Sequence, residues 1–204
     1  MTTWPATVEA WRSLLEDNAG DLDVEFLLAW INRESAGSAC SYTKYHECGI
    51  FQLDPSNMAT VGTSEAELRT ACNTGQWPVR ELTDDEKLTQ VTTGIAFVNH
   101  CRDVAREKLA ANGLAWDEDS VDFWRLVKMV HAAPARLSHL SADTPDWDSF
   151  KAACLAAGDT PAAWLANPEA VGGAYGGTPG SGGFADLVLM FALAIGALLL
   201  TRFL

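Results

Sequence analysis

Basic residues are scarce in this chain: Lys and Arg number 14 against 27 Asp and Glu, a formal net charge of −13. Phosphate backbones are bound by clustered cations, and no such cluster occurs, so the composition argues against nucleic acid as a partner. Alternating apolar and polar runs are missing as well. Without a period of two there is no half-buried strand to build a sheet, and an all-α soluble part is expected. The N-terminal Met-Thr-Thr-Trp-Pro-Ala-Thr has no basic stretch followed by an apolar run, so no cleavable signal peptide is expected. Cysteine is present in an odd number, five. Cys40 with Cys48 and Cys72 with Cys101 are possible disulfides in an oxidising compartment, with free thiols as the alternative. Cys40, His46 and Cys48 fit no standard zinc spacing, and no metal or cofactor is predicted.

What is there reads as a series of helices. Val8, Trp11, Leu14 and Leu15 mark a short first helix after Thr7, ending near Gly20. Val24, Leu27, Leu28 and Ile31 follow at i, i+3, i+4 and i+7, one face of a helix that Asp21 or Asp23 can cap and Ala36-Gly37 stops. Pro55-Ser56-Asn57 reads as a turn. Ser64 with Glu67, and Thr83 with Glu86, are capping boxes. The second opens a long helix carrying Leu88, Val91, Ile95, Val98, Ala105 and Leu109 to the Asn112-Gly113 stop. Gly94 inside it costs about 1 kcal/mol relative to Ala, which close packing against another backbone would justify. Ser120 opens a helix with Phe123, Leu126, Val127 and Val130 on one face, broken at Pro134. Asp146 caps a further helix through Ala157, and Thr160-Pro161 starts a short last one.

The C-terminal part changes character. Residues 172–183, GGAYGGTPGSGG, have the composition of a flexible linker. Residues 184–204 follow, uncharged from Leu187 to Leu200 and flanked by Asp186 and Arg202. As a helix at about 1.5 Å per residue this segment reaches about 31 Å, close to a bilayer core, and is expected to be a single C-terminal membrane anchor. One Arg is too little to set its orientation.

The stretch with chemical content is 24–58. Its helix ends in Arg33-Glu34-Ser35, and after a loop rich in Cys and Tyr comes Gly49-Ile50-Phe51-Gln52-Leu53-Asp54-Pro55. An acid at the negative end of a helix, in apolar surroundings, is disfavoured in its ionised form. A carboxylic acid that keeps its proton near neutrality can protonate the oxygen leaving a glycosidic bond.

Glu34-Ser35, the loop, and Gly49-Ile50-Phe51-Gln52 with Pro55 resemble the Glu-Ser … Gly-Leu-Met-Gln-x-x-Pro signature of lytic transglycosylases, enzymes with a lysozyme-like fold related to goose-type lysozyme. Gly94-Ile95-Ala96-Phe97-Val98 resembles that family's Gly-x-x-Tyr-Leu helix, and Val130-His131-Ala132-Ala133-Pro134-Ala135-Arg136 its Tyr-Asn-Ala-Gly-Pro-Gly-Arg block. The likeness spans about residues 20 to 140. It implies a lysozyme-like helical domain over 1–171 that cuts the MurNAc–GlcNAc bond of peptidoglycan without a metal or cofactor. Glu34 would be general acid and then base, drawing the proton from the MurNAc 6-hydroxyl to close an anhydro ring. Ser35 would orient the acid. Gly49, Ile50, Phe51, Gln52 and His131 would line the glycan site, with Gly49 allowing close approach and Phe51 also readable as core. Eight Trp are compatible with sugar stacking.

The third block departs from the pattern. The family's supporting Tyr falls on Val130, which has no hydroxyl, and its Asn on His131. Tyr42 and Tyr45 could supply the missing phenol. Hydrolysis, with Glu47 as a second carboxylate beside the cleft, is the other outcome; Asp54 reads as a cap for Ser56-Asn57. A tethered wall-cutting domain suits a bacteriophage virion protein, with other virion proteins as further partners, or a bacterial envelope enzyme. The competing reading is a non-catalytic virion or envelope protein that uses the same fold to bind glycan or build structure.

Overall fold

The computed structural model describes residues 3–40, 47–72, 81–160 and 166–172. Among them the chain is mainly α-helical, and the one strand-like pairing is an isolated antiparallel bridge between Cys48 and Leu53. The helices are α1 (Ala6–Glu9), α2 (Arg12–Asn18), α3 (Val24–Ser35), α4 (Glu65–Ala71), α5 (Asp84–Ala111), α6 (Val121–Ala132), α7 (Trp147–Ala156) and α8 (Ala166–Gly172). Two 3-10 segments, Pro55–Val61 and Pro134–His139, each open on a proline.

Most helix ends fall where side chains can satisfy the free backbone groups. Ser64 and Glu67 cap α4 reciprocally, as Thr83 and Glu86 cap α5. Asp146 and Ser149 do the same for α7. The Asp23 carboxylate accepts from the Phe26 amide at 2.9 Å and opens α3, while Asp21 instead pairs with Arg102 of α5 at 2.9 Å. The single first helix expected after Thr7 is two, divided at Ala10-Trp11. The Trp11 ring turns inward there, and its indole nitrogen donates to the Gly37 carbonyl at 3.0 Å.

The core lies between α3, α5 and α6. Phe26, Leu27, Leu28, Trp30 and Ile31 of α3 are buried with Val91, Val98 and Cys101 of α5 and Phe123, Leu126 and Val127 of α6. Phe26 sits edge-on to Trp30 and to Trp124, with ring centroids 5.7 and 4.8 Å apart. Such edge contacts add stability beyond the area buried.

Three expectations are corrected. Gly94 does not admit a neighbouring backbone: a Cβ there would lie 2.1 Å from Cδ2 of Phe51, so its place is taken by an aromatic ring. The thiols that meet are Cys48 and Cys72, which hydrogen-bond to each other, and Cys48, Cys72, Cys101 and Cys154 carry no disulfide. Cys101 lies instead within the field of Lys128, its pKa pushed up to about 12 by burial. Third, residue 172 does not begin the linker. It ends α8, which packs on α6 and α3, and a Cβ on Gly172 would strike Cγ of Arg125 at 2.2 Å. No helix among the described residues is long and apolar enough to cross a membrane. The expected helix start at Thr160-Pro161, the linker from 173 on and the anchor at 184–204 fall wholly or in part outside the described residues.

Candidate functional site

The carboxylate of Glu34 is delivered by the last turn of α3. That turn ends because Ala36 is in the left-handed region, φ 51°, and Gly37 follows at φ +80°. A side chain at Gly37 would lie 2.3 Å from the Thr7 carbonyl, so the reversal also needs the close approach of α1. On the other side the Arg33 guanidinium donates to the Asn167 side chain and ties the same turn to α8. Glu34 is thereby held with its side chain 13% exposed.

Facing it is the turn 48–53. Cys48 and Leu53 exchange both backbone hydrogen bonds, at 2.9 and 3.0 Å. The four residues between them reverse with Gly49 at φ +76° and Gln52 at φ 50°. The Gln52 side-chain amide donates to the Gly49 carbonyl at 2.7 Å and holds the turn closed. Two groups outside it fix its position. The Ser35 hydroxyl donates to the Ile50 carbonyl at 2.9 Å. Gln90 of α5 takes the Ile50 amide on its Oε1 at 3.0 Å and gives its amide to the carbonyls of Ala39 and Ala71, at 3.0 and 2.7 Å. Gln90 is buried, and its amide joins three segments of backbone that would otherwise lack partners.

The floor of the site is α6. Lys128 is wholly buried, 0% exposed, and its ammonium touches Oε1 of Glu34. The same nitrogen lies 2.8 Å from Nδ1 of His131 and 4.4 Å from the centre of the Trp30 ring. Burial holds the Lys128 pKa below its usual value, with the Glu34 charge pulling the other way. His131 lies well below the usual imidazole value, through burial first and then the Lys128 charge. His131 is therefore neutral. With Nδ1 accepting from the ammonium, its one proton is on Nε2, which faces the Gln52 carbonyl at 3.3 Å. A continuous path results: Glu34, Lys128, His131, Gln52 backbone. The Trp30 and Phe97 rings wall in the imidazole, each with its centroid 5.5 Å away.

Of the residues singled out from sequence, Glu34, Ser35, Gln52 and His131 converge on this path or its support. Ser35 does not touch the acid; its hydroxyl contacts the Ile31 and Ile50 carbonyls and the Gly37 amide, so it holds the helix end to the turn. The space beside Gly49 is used by the protein itself, since a Cβ there would meet Cys72 Sγ and Gln90 Oε1, both at 2.8 Å. Ile50, Phe51 and Gln52 are buried as whole residues, 2% exposed or less, and Gly49 is buried with them, so the turn supports the site from within and offers almost no surface of its own to a ligand. Asp54 caps the first 3-10 segment, accepting from the Ser56 amide at 2.9 Å. Val130 packs partly buried against the core. Tyr42 and Tyr45 lie outside the described residues.

The apolar setting expected for Glu34 is corrected by Lys128. A lone Lys reads as solvated surface, yet Lys128 stands four residues after Trp124 and three before His131, on the buried face of α6. That placement was the available signal. Gln90, one turn before Gly94, carried none. A depression of about 320 Å³ between α4 and α5, lined by Glu67, Thr70, Asp85, Glu86 and Thr89, includes none of the site residues. The chain matches no protein-family model, no curated protein and no solved structure.

Proposed function

We propose that the chain is a lytic transglycosylase with a lysozyme-like helical domain, cleaving peptidoglycan glycan strands with Glu34 as general acid and base. The observation that carries this reading is the placement of Glu34: a nearly buried carboxylate at the end of α3, beside the turn that holds Gln52, with both of its side-chain contacts on one oxygen. Among the described residues, the Lys128 ammonium and the His131 ring both meet Oε1.

The proton needed for the first step comes from Lys128. Its ammonium is destabilised by burial, so passing a proton to Glu34 converts a buried ion pair into two neutral groups. Glu34 then gives that proton to the glycosidic oxygen as the bond from C1 breaks. The MurNAc 6-hydroxyl oxygen attacks C1 and its proton returns to Glu34, so no proton is gained or lost over the cycle. His131, neutral and hydrogen-bonded to Gln52, keeps the ammonium aimed at the acid. Residues 184–204 are proposed as a membrane anchor, which suits a virion or envelope enzyme acting on the wall locally.

One observation favours a second reading. A buried Lys–Glu pair is also a satisfied structural contact, and Val130 stands where the resembled family has a phenol; a non-catalytic glycan-binding or structural protein would keep both. Zymography on peptidoglycan separates the two. The parent is expected to clear it and Glu34→Gln to leave it intact; equal clearing by both, or none by the parent, overturns the enzyme. Mass spectrometry of the products distinguishes anhydro ends from the reducing ends of hydrolysis. An anchor predicts that deleting 184–204 releases the protein from the lipid fraction, and continued sedimentation with lipid would refute it.

A further inference from the structure

At the far end of the 3-10 segment that follows α6, a second set of side chains converges. His139 closes that segment, Cys154 lies in the last turn of α7 and is wholly buried, and Asp159 follows just beyond the end of α7. The Asp159 amide donates to the Cys154 carbonyl at 3.2 Å, which folds the aspartate back over the helix end. One ligand atom from each of the three residues lies within 4.8 Å of the others.

The carboxylate of Asp159 is 10% exposed, and its two oxygens differ. Oδ1 receives the Arg136 guanidinium at 2.8 Å. Oδ2 is sealed from solvent and accepts no hydrogen bond from a described residue; Nε2 of His139 is 3.8 Å away. A buried carboxylate oxygen without a donor is costly, and natural structures seldom leave one so. Here it is aimed at an imidazole and a thiol.

We propose that His139, Cys154 and Asp159 bind a divalent transition-metal ion of the zinc class, with a fourth position open to water beside the partly exposed imidazole. Tetrahedral zinc with bonds of about 2.0–2.3 Å sets its ligand atoms roughly 3.5 Å apart. The present triangle is at most 4.8 Å on a side, with His139 and Asp159 already 3.8 Å apart, so modest side-chain adjustment, which the 28% exposed His139 can make, would bring it to that size. The charges also close. A thiolate and a carboxylate neutralise the dication, and Arg136 on Oδ1 orients the carboxylate from outside, as second partners of metal ligands do. A zinc-class ion takes cysteine as the thiolate, so binding at neutral pH would displace the Cys154 proton to solvent and tighten as pH rises. The site is separate from the Glu34 path and does not depend on the enzymatic reading. Bound metal would fasten the segment that follows α6 to the end of α7.

The test is titration of the reduced full chain with Co²⁺, read by the thiolate-to-cobalt charge-transfer band, followed by displacement with Zn²⁺. One ion per chain is expected, with a rise in melting temperature. Cys154→Ser should abolish the band, and His139→Ala, at a partly exposed position that leaves the core intact, should weaken binding about tenfold or more. A folded parent that gives no band, or a band and melting shift unchanged in His139→Ala, overturns the proposal. A band that persists in Cys154→Ser does the same, since it would belong to the other thiols.

Discussion

Nζ of Lys128 and Nδ1 of His131 lie 2.8 Å apart, one turn from each other on α6, and the ammonium also meets the carboxylate of Glu34. The three groups hold one net charge pair between them, with Lys128 wholly buried and Glu34 and His131 each 13% exposed. That arrangement makes their energies interdependent, and the dependence can be measured.

Lys128→Met should destabilise the protein by about 3 kcal/mol, because it leaves the Glu34 carboxylate desolvated and without its partner. Glu34→Gln should cost at least as much, since the buried ammonium then keeps only neutral partners, His131 and the Trp30 ring, and loses its counter-charge. The double variant is expected to be closer to the parent than the sum of the two, as replacing a buried pair by neutral groups is often nearly neutral. Urea melts of the four proteins check this. Simple additivity would show that the pair is uncoupled.

His131 gives the stability a pH dependence of definite sign. Its folded pKa lies well below the ordinary 6.5, so between those values the unfolded chain binds a proton that the folded chain refuses. Stability is therefore full above about pH 6.5 and is lost as pH falls below it, by up to about 1.4 kcal/mol per unit. His131→Asn should flatten that slope. Equal urea midpoints at pH 7 and pH 5.5 in the parent, after subtraction of the variant's own change, would contradict it.

Gln90→Leu should cost about 2–4 kcal/mol. It keeps the volume but strands the Ile50 amide and the carbonyls of Ala39 and Ala71. Hydrogen exchange is expected to speed up most at Ile50, more than at the helical amides of α6. An exchange pattern raised evenly over the whole chain would show that Gln90 acts on global stability alone.

Gly94→Ala drives a methyl group into the Phe51 ring and should destabilise by about 1–3 kcal/mol. The turn carrying Gln52 must shift with that ring, so peptidoglycan clearing should fall as well. Adding Phe51→Leu to make room should restore part of the stability. A double variant no better than Gly94→Ala would place the strain elsewhere.

The elements legible in the sequence were those written locally. Ser64 with Glu67 and Thr83 with Glu86 announce helix starts within four residues, and Ala36-Gly37 announces a stop, so reading these ends requires no tertiary contact. The spacing of Val24, Leu27, Leu28 and Ile31 likewise set the face that α3 buries. The site was legible only in part. Glu34 and His131 stood out, but Lys128 is a charge whose solvation depends on a partner 94 residues away in the chain. Gln90 reaches across 40 residues to Ile50 by the same kind of long-range match, and Asp159 answers His139 only after α7 has brought it back. Periodicity reports which way a residue faces. It does not report what meets it there.

The short last helix has a practical bearing on how much of the chain can be removed. Asn167 holds the Arg33 turn and Gly172 is pressed onto Arg125, so the C-terminal end of the described body rests on the two helices that carry Glu34 and Lys128. Proteolytic trimming beyond Gly172 spares that cover, whereas a cut before Asn167 uncovers both helices at once. Loss of α8 should thus damage the fold abruptly, with the threshold inside these few residues.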